Sequence, residues 1–154
     1  MNTEVIVSDA LSELALGQAF TFDELVCELQ ERRQRRLRIV ELAGLGEQNG
    51  LCAVWLMTDT EDLVLHAHSD SVLHRQQFVL HEIGHIMLDH GVDTDPETPD
   101  LLLPDIPLET RRRLLRRQNL DTAEEIIAES LADQLAAAIR GSAMHGSRFL
   151  EIFG

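Results

Sequence analysis

Tyrosine and lysine are absent from this chain, cysteine and proline are scarce, and no apolar run is long. Each of these excludes something. The apolar runs, Leu51 to Met57, Leu101 to Leu103 and Leu135 to Ile139 among them, fall far short of the ~20 residues that span a bilayer, so no membrane helix is expected. Met1 to Glu4 carries no basic residue ahead of its short apolar stretch, so a secretory leader is not expected either. The two cysteines, Cys27 and Cys52, form no CxxC pair and no disulfide framework. Both sit in apolar patterns and read as buried thiols of a reduced, cytoplasmic protein. Positive charge is also short, with 13 basic residues against 27 acidic ones and a net charge of −14. Such a field repels phosphates and argues against direct binding of DNA or RNA.

What the chain does have is globular composition. Hydrophobic residues are 44% and charged residues 26% of 154, enough for one domain over residues 1–154. All the basic residues are arginine, and ten of them lie in two clusters, residues 32–38 and 111–117. Solvated helix faces paired with the excess carboxylates are the plain reading of those clusters.

Residues 8–16 suggest a short helix capped by Ser8 or Asp9. Thr21 and Glu24 form a capping box ahead of Leu25, Val26 and Leu29, predicting a helix to about Gln34. Leu37 to Leu42 alternates apolar and polar, Leu51 to Met57 is β-rich, and Leu63 to His68 reads as a third strand after a hairpin loop at 58–62. This third strand is either a plain sheet strand or an edge strand that aligns an extended substrate along a cleft. From Ser71 to His90 the period turns helical, with Val72, Val79, Ile83, Ile86 and Met87 on one face and Gly91 as the stop. Residues 91–107 hold all four prolines and predict a loop, followed by a short Arg-rich helix at 108–118. Asp121 and Glu124 then open a helix to about Arg140. The order predicts an α+β fold in which helices pack on a small antiparallel three-stranded sheet.

The long helix carries the chemistry. His81-Glu82-Ile83-Gly84-His85 is an HExxH motif. Helical residues four apart share a face, so both imidazoles can reach one Zn²⁺. Glu82 lies about 100° round the axis, beside the ligands, where it can take a proton from the attacking water as general base. A third protein ligand is needed. Gly91 stands where one long-range spacing would put a histidine, so the ligand is sought on the last helix. Glu129 is the favoured ligand, with Asp133 one turn on to orient a histidine. Glu125 is the alternative, although acidic residues in a first helical turn are already favoured by the helix dipole.

Residues Phe78 to His90, FVLHEIGHIMLDH, resemble the zinc helix of the ImmA/IrrE family of metallopeptidases. Glu129 to Ala138, ESLADQLAAA, resembles that family's third-ligand helix, with Leu135 in place of its usual aromatic residue. The short chain looks like the stand-alone members found on actinobacterial chromosomes, prophages and mobile elements. The resemblance implies a minimal zincin-like domain with its core at about 20–140, and hydrolysis of peptide bonds in a regulatory protein, a repressor or antitoxin. It implies a protein partner and no direct contact with nucleic acid or membrane. The alternative is a non-catalytic zinc-binding module that acts by binding such a regulator.

A tetrahedral oxyanion needs a donor besides the metal. With no tyrosine, His66, His68, His74 and His145 are the candidates. Trp55 reads as core.

Overall fold

The computed structural model of the protein describes residues 2–42, 52–57, 60–89 and 122–153, with side chains in the last stretch over 123–143. The described residues form four helices and one three-stranded sheet, an α+β arrangement. Their order is α1 (Thr3–Glu13), α2 (Phe22–Arg33), β1 (Arg36–Glu41), β2 (Ala53–Met57), β3 (Glu61–His66), α3 (Val72–Met87) and α4 (Thr122–Phe153). The predicted proline-rich loop, the Gly91 stop, the Arg-rich helix and the Asp121 cap lie outside the described residues.

Local chemistry sets most of the boundaries. The capping box at α2 is present: Thr21 Oγ1 accepts from the Glu24 N–H, and Glu24 Oε1 accepts from the Thr21 N–H, both at 3.1 Å. Ser71 caps α3 through the His74 N–H. Helix α1 starts earlier than the sequence suggested, because Asn2 rather than Ser8 or Asp9 supplies the cap, accepting from the Glu4 N–H at 2.9 Å. Its Val7 and Ala10 then join the main core.

The sheet is mixed, not antiparallel as predicted. Strand order is β1-β3-β2, with β3 parallel to β1 (Arg36 opposite Glu61) and antiparallel to β2 (Ala53 opposite His66). The reason lies in the burial patterns. β3 is buried along its length from Asp62 to His66, as a strand covered on both faces must be, and it takes the centre. β1 alternates around buried Leu37 with a mostly exposed remainder, which suits an edge. The connection from β1 to β3 runs through residues 42–60, long enough for the crossover that a parallel pair needs. The suggestion that Leu63 to His68 forms an edge strand along a cleft is thereby corrected.

Trp55 and Val64 face the helices and pack with Leu25, Leu80, Ile83, Leu131 and Leu135 in the main core. Val54, Leu56, Leu63 and Leu65 form a second apolar cluster with Ala67 and Phe78. Both cysteines are exposed, against the buried thiols expected. Cys27 lies half a turn from the buried Leu25 and Leu29, so it points outward.

One polar cluster is built into this core. Asp62 is only 2% exposed and receives Arg33 Nε at 2.7 Å, Arg33 Nη2 at 3.3 Å and the Trp55 indole N–H at 3.2 Å. Arg35 Nε stands 3.4 Å away. Arg33 also donates to Asp89 (2.8 Å) and to the Ile86 carbonyl (3.2 Å), tying α2 to the end of α3. Burial works against the Arg33 charge, but its bonds to Asp62 and Asp89 outweigh that and raise its pKa. Part of the first arginine cluster is thus a buried tie rather than a solvated face. No helix among the described residues is long and apolar enough to cross a membrane.

Candidate metal centre

Helix α3 is amphipathic in the usual sense at Val79, Leu80, Ile83 and Ile86, all buried. Its HExxH motif is less usual, because Glu82 and His85 are buried as well, at 2% and 0% exposure. Helix α4 crosses α3 at very short range here. A Cβ added at Gly84 would stand 2.8 Å from the Ala128 carbonyl oxygen and 3.3 Å from its Cα. The obstacle is helix backbone, which cannot swing aside as a side-chain end can. Gly84 therefore sets the approach of the two helices, and the approach sets which residues of α4 meet the histidines.

Glu125 lies three residues before Ala128 and reaches both of them. His81 Nε2 is 3.1 Å from Glu125 Oε2, and His85 Nε2 is 3.1 Å from Glu125 Oε1. The two Nε2 atoms are 3.2 Å apart. Tetrahedral coordination with bonds of ~2.0–2.1 Å sets donor atoms about 3.3 Å apart, so this spacing fits one small cation. His81, His85 and Glu125 are the one His/Cys/Asp/Glu group of this kind among the described residues.

Glu129, the favoured third ligand from sequence, occupies a different place. Its Oε2 lies 2.5 Å from His81 Nδ1, on the far side of the ring from Glu125. Both ring nitrogens of His81 thus face a carboxylate, but only Nε2 shares Glu125 with His85, so a metal taken there would leave the ring hydrogen on Nδ1, donated to Glu129. The orienting role expected of Asp133 thus falls to Glu129. Asp133 instead accepts from Gln77 Nε2 at 3.1 Å, and the same nitrogen donates to Glu129 Oε1 at 3.1 Å. Gln77 was not anticipated. Its position one turn before His81, on the same face, was the available signal.

Among the described side chains, none of the histidines considered as oxyanion donors joins this group. His66 is buried with Nδ1 3.1 Å from the Ala67 carbonyl. His68 is exposed between Glu41 (3.2 Å) and Asp70 (3.1 Å), and the bonds to those carboxylates, Glu41 first, raise its pKa above the usual 6.5. His74 is exposed and stacks on Phe78. The His145 side chain lies outside the described residues.

The chain matches no family model, no curated protein and no solved structure.

Proposed function

We propose that the protein is a zinc-dependent peptidase whose metal is held by His81, His85 and Glu125. The carrying observation is the convergence of two imidazole Nε2 atoms and one carboxylate at 3.1–3.2 Å, a spacing that fits tetrahedral zinc. The donor set agrees with the geometry: two neutral nitrogens and one carboxylate are a common complement for catalytic zinc, which keeps its fourth position open. Bound zinc supplies Lewis acidity, acidifying water and polarising a carbonyl.

The chain's own groups supply the rest. Glu129 holds His81 in the ligating tautomer. Glu82 takes a proton from the attacking water and delivers it to the leaving amine, so the peptide C–N bond breaks with no net proton change at the carboxylate. The resemblance of residues 78–90 and 129–138 to ImmA/IrrE metallopeptidases points to a regulatory protein, a repressor or antitoxin, as substrate. The two free thiols support a cytoplasmic setting for the reaction.

The test is cleavage of a proteome-derived peptide library by zinc-loaded protein, with new termini read by mass spectrometry. New termini are expected, lost when a chelator strips the metal and restored when zinc returns. A loaded protein that leaves every peptide intact, yet forms a stable complex with a regulator of unchanged mass, would instead be a zinc-binding module.

A further inference from the structure

We infer that Gln77 is a positioning residue for the metal centre, acting on His81 through Glu129. This rests on the metal reading above and extends it to a residue that touches neither the metal nor the substrate. The geometry is a short relay between α3 and α4. Glu129 and Asp133 are one turn apart on α4, where like charges repel and would splay the two side chains. The Gln77 amide nitrogen stands 3.1 Å from an oxygen of each. Both partners can only accept, so the amide has one sensible orientation, with both of its N–H groups given to the two carboxylates.

This bridge has a consequence for the imidazole. With Oε1 of Glu129 taken by Gln77, Oε2 is presented to His81 Nδ1 at 2.5 Å. Glu129 is half exposed, so without the amide it is free to exchange that contact for water. The relay Asp133–Gln77–Glu129–His81 therefore ends on the ring whose Nε2 faces His85 and Glu125. A purely structural helix tie would not bear on which ring nitrogen carries the hydrogen, whereas a held carboxylate at Nδ1, in a shorter contact than that at Nε2, favours Nδ1.

Gln77→Met keeps the length of the side chain and removes both donors. The first readout is zinc affinity, by competition with a chromophoric chelator, for wild type, Gln77→Met, Glu129→Ala and the double variant. Gln77→Met is expected to weaken zinc about tenfold, at the lower end of what losing such a support costs. In the Glu129→Ala background it is expected to change nothing further, because the two residues act through one contact. The second readout is the His81 ring tautomer in metal-free protein, from nitrogen chemical shifts. Wild type is expected to hold hydrogen on Nδ1, and Gln77→Met to shift population toward Nε2–H. Wild-type zinc affinity in Gln77→Met, or an equal loss in the Glu129→Ala background, overturns the positioning role and leaves the metal reading standing. A wild-type chain that takes up no zinc removes the metal reading, and an unchanged tautomer in Gln77→Met then removes the positioning role as well.

Discussion

Glu82→Gln is expected to keep zinc at wild-type affinity and to slow peptide cleavage by about 10²–10⁴-fold, the usual share of a positioned acid–base group. The substitution preserves shape at a site only 2% exposed, so packing between α3 and α4 is undisturbed. An amide still makes hydrogen bonds, but it takes no proton from water and has none to return to a leaving amine. Glu82 is not one of the three converging ligand groups, so the metal has no reason to leave. Rates on a peptide recovered from the library, read beside zinc content, separate the two effects. Cleavage at the wild-type rate would remove Glu82 from the mechanism. Loss of zinc would make it a ligand or a support for one.

Asp62→Ala is expected to cost about 3–5 kcal/mol of folding stability, the range for removing one partner of a buried ion pair. The carboxylate is almost fully buried and answers two guanidinium groups and an indole N–H. Its loss leaves Arg33 and Arg35 with charge and little water, since their side chains are only 17% and 16% exposed. Arginine does not escape by deprotonating. Arg33 keeps Asp89 and the Ile86 carbonyl, so the penalty falls short of that for a wholly stranded charge. Even so, domains of this size are stable by only about 5–15 kcal/mol, and a large part of that would go. Urea unfolding monitored at Trp55 measures it directly, because the indole sits in the same cluster. A loss below about 1 kcal/mol would mean that the cluster breaks even with an apolar replacement.

The parts of the fold written in local chemistry were legible. The Thr21 capping box, the three β-rich segments and the helical period around HExxH each depend on neighbours within a few residues. The sheet pairing was not, because strand order depends on which strand is covered on both faces, and that is decided by the packing of the whole fold rather than by the strand's own residues. The unbroken Leu63-Val64-Leu65 run is the one local hint that β3 is central. Cys27 is exposed because face outweighs neighbours in a helix: it follows the apolar Leu25 and Val26 yet sits opposite the buried stripe.

The metal site divides in the same way. His81, Glu82 and His85 belong to one helix, so spacing alone brings them together. The third ligand comes from another helix, and there the sequence is degenerate. The pattern Glu-x-x-Ala-acid-x-Leu-Ala occurs twice, from Glu125 and from Glu129, one helical turn apart. Nothing local prefers either register. The contact of Gly84 with Ala128 does, because it fixes the height of α4 against the motif and sets Glu125 beside the two Nε2 atoms. Glu129, one turn further, then meets the opposite edge of the His81 ring.

The most direct measurement is the zinc content and zinc affinity of purified Glu125→Ala and Glu129→Ala beside wild type. Wild type is expected to hold about one zinc per chain with its fourth coordination position open. Glu125→Ala is expected to lose it, and Glu129→Ala to keep it at an affinity about 10–100-fold weaker, as suits a residue that orients a ligand. Zinc retained in Glu125→Ala and lost in Glu129→Ala would contradict the assignment, and a wild-type chain that takes up no zinc would contradict the metal centre itself.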